Sequence, residues 1–356
     1  MLSIKHLYIA ALASLLWLPD AISGSQAANA FFLYTSQVDA QAEVEAAREG
    51  LAQAKKRARL DTGGLLTAYI KLGSVLKRQG DLNGALETYK EGLIVAAKLV
   101  ARNAGNAGHQ HNLAIFYSTI GDILLRQGDL DNALSVYRDG LVIREKLAAI
   151  DASNSLWQND LAASYGHVAT VLRRQGDLEG ALKVHQKSLA ILEKLVALDA
   201  TNALWQRSLS VAYDDLGDIL LRQEDFDGAF QTYQRRLTIM ERLTALDASN
   251  SEWQKDLAMS YDSMGDVLLR RGNVDGAVNA YRKALSIRET LLPLDASDAE
   301  LQRSLITSNI KLATALEDSS YYAEALRIAQ SMQAKGILDP AYAWVISDLK
   351  ELVGLP

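Results

Sequence analysis

A turn sequence returns every 48 residues along most of this chain. Its central positions are Gly80, Gly128, Gly176, Glu224 and Gly272. The flanking residues repeat as well, from RQGDLNGAL at the first turn to RRGNVDGAV at the fifth. A fixed period of this size is typical of structural units stacked in a row, each contacting its neighbours, rather than of one globular core. The period therefore predicts an extended repeat array.

Each unit is predicted to contain two helices joined by that turn. In the third unit, apolar residues of the first helix recur at helical spacing, at Leu156, Leu161, Tyr165, Val168 and Leu172. This pattern stops at Gly176, which suits the left-handed residue after a helix end, and Asp177 can then cap the second helix. Residue pairs that fit a capping box mark the starts of the first helices: Ser155 with Gln158, Ser251 with Gln254, and Ser297 with Glu300. The sequence predicts an all-α fold.

Three further positions keep the same kind of residue in five consecutive units. The first helix carries a small residue at Gly73, Gly121, Ala169, Gly217 and Gly265, and the second helix carries Ala85, Ala133, Ala181, Ala229 and Ala277. The second helix also carries a ring at Tyr89, Tyr137, His185, Tyr233 and Tyr281. These units resemble tetratricopeptide repeats over roughly residues 58 to 338. The resemblance implies a right-handed superhelical solenoid of antiparallel helix pairs, in which the small residues let two helices approach.

The units are longer than the repeats they resemble. A tetratricopeptide repeat has about 34 residues, so each 48-residue unit has about 14 more, or about two extra turns on each helix. Long repeats of this kind are similar to those of many bacterial proteins of unassigned role. The extra first-helix turns contain Trp157, Trp205 and Trp253. These side chains could stack on a sugar or a peptide, but packing between adjacent units is the favoured interpretation.

These features divide the chain into five parts. They are a signal peptide at 1–30, an N-terminal capping helix at 31–57, five 48-residue repeats at 58–297, a degenerate sixth repeat at 298–338 and a C-terminal capping helix at 339–356. Terminal units of repeat arrays are commonly atypical, because one of their faces meets water. The sixth repeat fits this rule, since it has lost the glycine turn.

The first 30 residues have the order of a secretory leader. Lys5 precedes an apolar run from Leu7 to Leu18, and the small-residue motif 28–30 follows. The run of 12 residues is too short to span a membrane comfortably. We therefore expect cleavage after Ala27 or Ala30 and export to the periplasm or the exterior. An uncleaved amphipathic leader is the alternative. After the leader is removed, no integral membrane segment is expected.

Composition and motifs argue against several functional classes. The net charge is −6 and no basic face spans the repeats, so nucleic-acid binding is not expected. The chain has no Cys, and its five His show no metal-ligand spacing, so neither a metal nor a cofactor is expected. No phosphate loop or nucleophile elbow occurs, and we do not expect an enzyme. His185 replaces a repeat tyrosine and is interpreted as a packed ring, whereas His167 is interpreted as a groove or surface residue.

One periodic set of charged residues is the candidate partner-binding groove. Its basic members are Arg78, Arg126, Arg174, Arg222 and Arg270, all at the same position of the first helix. Its acidic members are Asp122, Asp218 and Asp266, each four residues before an Arg, together with Asp214 and Asp262. The family resemblance implies that these positions face the concave side, where they could grip an extended peptide. The favoured interpretation is local: Asp and Arg four residues apart form exposed pairs that stabilise each helix by about 0.3–0.5 kcal/mol.

The resemblance implies a protein-interaction scaffold whose partner is a protein or peptide bound at the concave face. Two alternatives stay open: a structural spacer that self-assembles, and a sensor that holds a peptide or small ligand in a pocket. A fold of this kind does not itself specify a ligand.

Overall fold

The computed structural model describes residues 24–58, 61–339 and 342–354, within which there are fourteen helices and no strand. Most of the predicted leader, residues 1–23, lies outside the described residues. The chain divides into two compact units, residues 1–80 and 81–356. No helix among the described residues has both the length and the apolar character needed to cross a bilayer.

The first unit contains two helices, α1 (Gly24–Arg57) and α2 (Thr62–Arg78). The two helices pack against each other. Asp61 begins α2 by accepting a hydrogen bond from the backbone N–H of Gly64, at 2.7 Å. The Arg78 guanidinium at the end of α2 pairs with Glu43 of α1, so this predicted groove residue is engaged within its own unit.

The second unit contains the other twelve helices. They are α3 (Leu82–Arg102), α4 (Ala107–Arg126), α5 (Leu130–Ile150), α6 (Ser155–Gln175), α7 (Leu178–Leu198), α8 (Ala203–Arg222), α9 (Phe226–Leu246), α10 (Ser251–Arg270), α11 (Val274–Leu291), α12 (Ala299–Leu316), α13 (Ser319–Ala334) and α14 (Trp344–Leu352). From α4 onward the first helices begin 48 residues apart. Each packs against the second helix of its repeat and that of the repeat before. The predicted all-α superhelical solenoid of helix pairs is confirmed.

The turns between paired helices follow the sequence prediction. Gly176 is left-handed, with φ 87°, and Glu224 adopts the same region with φ 62° although it has a side chain. The next residue caps the second helix, as predicted: the Asp177 carboxylate accepts from the N–H of Gly180 at 2.9 Å. The repeated Gly-Asp pair therefore meets two local requirements: glycine adopts the left-handed backbone of the turn, and Asp caps the helix that follows.

The first helices are capped differently from the prediction. Asn154 caps α6 by accepting from the N–H of Trp157 at 3.1 Å, and Ser155 is already the first residue of the helix. Asn202, Asn250 and Asp298 do the same for α8, α10 and α12. The capping boxes predicted from Ser155 and Ser251 are wrong by one residue, because the side chain of the preceding Asn already satisfies the free N–H group. The box predicted from Ser297 is wrong because the following residue, Asp298, is the cap.

The small residue of the first helix accommodates an aromatic ring. A Cβ atom at Gly121 would lie 2.5 Å from a ring carbon of Tyr137 on the second helix. The same collision would occur at Gly217 with the ring of Tyr233. Close approach to the repeat tyrosine, rather than to the repeat alanine, is therefore what requires glycine here.

The tryptophans of the extra turns pack between repeats. Trp205 lies against a cluster that joins Leu192 of α7 to Leu209 of α8. Trp253 occupies the equivalent place beside Leu243 of α9. Because these side chains fill the junction between the second helix of one repeat and the first helix of the next, the packing interpretation is confirmed for both.

Candidate functional site

The first helices α4, α6, α8, α10 and α12 of the second unit form what we call the first-helix face. Along it, α6 contacts α8 and α8 contacts α10 directly, in addition to the second helices between them. The predicted groove residues of this unit all lie on α4, α6, α8 and α10.

The Asp that recurs on the first helix binds the repeat tyrosine. A tyrosine hydroxyl of the second helix donates to a carboxylate fifteen residues earlier in three repeats: Tyr137 to Asp122 at 2.8 Å, Tyr233 to Asp218 at 2.7 Å and Tyr281 to Asp266 at 2.7 Å. Burial and the adjacent carboxylate raise the pKa of each of these tyrosines, which keeps the hydroxyl protonated as the donor. Each Asp therefore joins the two helices of a pair.

The predicted ion pairs between each Asp and the Arg four residues later are wrong. Within the described residues, Arg126, Arg222 and Arg270 form no hydrogen bond or ion pair, and all three are exposed. Arg174 is also exposed and donates to the carbonyl of Leu125 at 3.3 Å. The Asp carboxylates instead accept hydrogen bonds from buried tyrosine hydroxyls. An exposed ion pair would contribute only about 0.3–0.5 kcal/mol to stability.

Two of these carboxylates also bind a cation from an adjacent repeat. Asp218 of α8 pairs with Arg173 of α6 at 3.0 Å. Asp266 of α10 pairs with Lys311 of α12 at 2.7 Å. These contacts run along the first-helix face from one repeat to the next, so they stabilise the stack and leave less free negative charge on the face.

Asp214 and Asp262 are paired with buried arginines of the second helices. Asp214 pairs with Arg236, whose guanidinium also lies 3.0 Å from the Ser263 hydroxyl. Asp262 pairs with Arg288 at 2.5 Å. Truncating one partner of such a pair would leave a buried charge uncompensated, so these groups act in the core of the stack.

The sequence interpretation missed these buried arginines, although the repeat contains a signal for them. Arg288 and Arg144 occupy a position that holds Leu192 and Met240 in the third and fourth repeats. A cation at a position that is apolar in sister repeats indicates a buried partner, and Arg144 pairs with Asp160 accordingly.

The acidic and the basic members of the predicted groove therefore have different surroundings. The acidic members bind tyrosines or cations of the stack. The basic members of the second unit stay at the surface, and we call Arg126, Arg174, Arg222 and Arg270 the arginine row. The row places one exposed positive charge near the end of each of four successive first helices.

A cavity of about 290 Å³ opens on the same face at the third repeat. It lies between α6 and α8, with residues of α7 at its base. Its lining consists of Asn159, Ala162, Ala163, Gly166, His167, Thr170, His185, Ser188, Leu192, Leu204, Arg207, Ser208, Val211, Ala212 and Asp215. The lining is mainly apolar, with polar atoms at a few positions, which is the usual composition of a small-ligand site.

The cavity exists because the third repeat departs from its neighbours at four lining positions. Gly166 stands where the second, fourth and fifth repeats have Ser118, Asp214 and Asp262; Ala163 stands where they have Ile115, Val211 and Met259. Thr170 and His185 replace the paired Asp and Tyr of those repeats. Each of these changes removes side-chain atoms from the space between α6 and α8.

Both histidines of the cavity are held in place by the stack. His185 is 0% exposed, and its Nε2 donates to the carbonyl of Ala212 at 2.6 Å, so the prediction of a packed ring is confirmed. His167 stacks on the Tyr137 ring with centroids 4.9 Å apart and lines the cavity, in agreement with its interpretation as a groove residue. Burial lowers the pKa of both imidazoles, which favours their neutral forms.

An acidic group lies at the edge of the cavity. Burial raises the pKa of Asp215 to about 7, although Arg173 lies 3.4 Å away and opposes the shift. Across the described residues, no group of three His, Asp or Glu side chains is placed to hold a metal ion.

Comparisons with known proteins agree on the kind of repeat. Family models of the tetratricopeptide repeat match residues 160–242, 257–295 and 66–93. A search of curated proteins finds no significant match.

Several solved structures share the fold. BtubC (BKLC) from P. vanneervenii is 20% identical and has a TM-score of 0.57, with 71% of this chain and 92% of that chain covered. The apo form of RapI is 16% identical with a TM-score of 0.52, over 92% of this chain and 86% of that one. The nuclear import adaptor Nro1 of S. pombe is 12% identical with a TM-score of 0.51, over 85% of this chain and 99% of that one. At these identities the similarity concerns the fold alone.

Proposed function

Because this chain is a tetratricopeptide repeat protein, we propose that it is a non-enzymatic scaffold that binds an acidic peptide segment of a partner protein on its first-helix face. The observation that carries the proposal is the arginine row. Four like charges at equivalent positions of successive helices repel one another, and within the described residues no acidic side chain neutralises them. An extended acidic segment lying across the helices would supply the missing negative charge.

The test removes three neighbouring members of the row by substituting Arg126, Arg174 and Arg222 with Ala. Their exposed side chains make few internal contacts, so stability should change little. Affinity for a partner captured from the exported fraction should fall at least tenfold, and binding to the wild type should weaken with added salt.

A matched control removes three exposed lysines from the second helices, namely Lys98, Lys146 and Lys194, which are also 48 residues apart. This variant loses the same net charge and should keep its affinity. Equal losses in the two variants would reject a site on the first-helix face, since only net charge would then matter.

We also propose that the protein is exported. The support is the charged start, the short apolar run and the small-residue motif within residues 1–30. N-terminal sequencing of the protein from the periplasm or medium should begin at Ala28 or Phe31. Finding only the full-length chain in the cytosol would reject export.

Self-assembly is a second candidate, favoured by a row of exposed apolar residues. Ile150, Leu198, Leu246 and Leu294 are 48 residues apart and between 66% and 78% exposed. If this row joins copies of the chain, light scattering should show a mass that rises with concentration, and substituting Leu198 and Leu246 with Glu should restore the monomer. A wild type that is monomeric at every concentration would reject this candidate.

A further inference from the structure

The third-repeat cavity lies beside the positions where the neighbouring repeats place a tyrosine and its acceptor. Thr170 and His185 stand where the other repeats have the bonded Asp and Tyr, and both line the cavity. The residue before Thr170 on the same helix is Ala169, instead of the glycine that a tyrosine ring requires. The third repeat has therefore lost all three parts of the tyrosine arrangement and has gained a space open to the first-helix face.

Three polar atoms of the cavity residues are buried and have no hydrogen-bond partner among the described residues. They are the Asn159 Oδ1, His167 Nδ1 and His185 Nδ1 atoms. Because His185 Nε2 donates its hydrogen to the Ala212 carbonyl, the neutral ring presents Nδ1 as an acceptor. Buried acceptors without a donor are destabilising, so a ligand that brings a donor would gain from satisfying one.

The charges at the edge of the cavity argue against an anionic ligand. Arg207 is paired with Asp256 at 2.6 Å, and Arg173 is paired with Asp218. No cation of the lining is thus left to receive a carboxylate or a phosphate. The apolar walls, formed by residues such as Leu192 and Val211, favour a ring over a small polar group.

We propose that this cavity receives a tyrosine side chain of the partner polypeptide, whose ring fills the space and whose hydroxyl donates to a buried acceptor. The inference rests on the proposed binding of a partner to the first-helix face and specifies one residue of that partner. A cavity of about 290 Å³ is at the lower end of the range for ligand sites and suits one ring rather than a larger molecule.

The first experiment measures binding of single-residue probes to the full-length protein by saturation-transfer NMR and titration. N-acetyl-tyrosinamide should bind about tenfold more tightly than N-acetyl-phenylalaninamide, the difference expected from one hydrogen bond to a buried acceptor. Equal affinities for the two probes would reject a hydrogen bond from the tyrosine hydroxyl to the cavity. Binding of free p-cresol without N-acetyl-tyrosinamide would reject a side chain attached to a polypeptide and point to a small phenol.

Two variants locate the site. At Gly166 a Cβ atom would meet nothing within 4 Å, so Gly166→Leu directs a side chain into the cavity from a helical position that accepts a Cβ atom. The combined substitution of Ala169→Gly, Thr170→Asp and His185→Tyr supplies the cavity with its own tyrosine, as in the flanking repeats. Each variant should weaken binding of N-acetyl-tyrosinamide at least tenfold. Gly50→Leu is the matched control, because that helical position is also open and lies in the first unit.

The outcomes distinguish this inference from the proposed function. Gly166→Leu should lower affinity for the captured partner as well as for the probe, while circular dichroism stays unchanged. If the folded Gly166→Leu protein binds the probe like the wild type, the inference is wrong, whatever the arginine variant does. If the arginine variant keeps its affinity for the partner and also binds the probe, the proposed role of the arginine row is wrong and the cavity inference is unaffected.

Discussion

Replacing Glu224 with Gly should stabilise the fourth repeat. Glu224 is left-handed, with φ 62°, at a position that glycine occupies in the other four turns. Its backbone bonds match those of the third turn: the N–H of Asp225 donates to the Leu220 carbonyl at 2.9 Å, as that of Asp177 does to Leu172. The two turns therefore differ in the residue and not in the geometry.

The expected size follows from two opposing terms. A left-handed conformation costs a residue with a side chain about 1–2 kcal/mol, which glycine does not incur. Glycine also has more conformational freedom in the unfolded chain, which reduces the expected stabilisation by about 0.4–1 kcal/mol. The Glu224 side chain makes no hydrogen bond or ion pair among the described residues, so no contact is lost. The net stabilisation is about 1 kcal/mol.

Thermal unfolding followed by circular dichroism is the assay. A change of about 1 kcal/mol should raise the midpoint by roughly 1–2 °C in a chain of this size. The reciprocal variant, Gly176→Glu, places a side chain at φ 87° and should lower the midpoint by at least as much. Because repeat arrays can unfold in steps, hydrogen exchange of α8 and α9 should show where the stability changes.

A lower midpoint for Glu224→Gly would refute this reasoning. It would mean that the Glu224 side chain makes a stabilising contact in solution that outweighs the strain of its backbone. An unchanged midpoint together with a large loss in Gly176→Glu would show that the strain at the fourth turn is relieved by local adjustment.

Three further predictions concern the core of the stack and its pH dependence. Gly217→Leu should lower stability by about 3 kcal/mol, read from denaturant titration, because its side chain would collide with the Tyr233 ring; a loss below about 1 kcal/mol would contradict this. Arg288→Met should lower the free energy of unfolding by about 3–5 kcal/mol in the same assay, since Asp262 would stay buried without its cation. Adding Asp262→Ser should restore most of the lost stability. Burial raises the pKa of Asp215 to about 7, so the unfolded chain ionises this carboxyl first and the wild type loses stability as the pH rises from about 4 through 7. Asp215→Asn lacks this loss, so the difference between its unfolding midpoint and that of the wild type should grow in its favour between pH 5 and pH 8. A difference that does not change with pH would contradict the raised pKa.

Local rules made the repeat predictable. The turn at Gly176 needs a left-handed residue, and Asp177 must satisfy free N–H groups of the next helix, so both requirements are visible within a few residues. The helix starts were missed by one residue, because Ser155 and the preceding Asn154 are both good caps and sequence alone does not choose between them.

The charged groove was less predictable because its bonds cross the helix pair. An Asp four residues before an Arg suggests a local ion pair, but Asp122 binds Tyr137, fifteen residues away and on another helix. A buried tyrosine hydroxyl needs an acceptor, and that requirement is stronger than an exposed pair. The pairing could have been found by asking which polar group each repeat tyrosine meets.

The third repeat shows how a repeat array separates stability from function. In such an array every unit packs against its neighbours in the same way, so the residues that join the helix pair in the neighbouring units would also suit the third unit. The second, fourth and fifth repeats join their helices with a tyrosine, an aspartate and a glycine, and the third repeat lies between units that use this arrangement. The third repeat instead has His185, Thr170 and Ala169, which leave a cavity and an unsatisfied acceptor on the first-helix face. Local departures that lower consistency with the fold are expected at functional sites, and here the departure lies beside Arg174 of the exposed arginine row. If a partner binds this face as we propose, recognition explains the position of the cavity better than folding does.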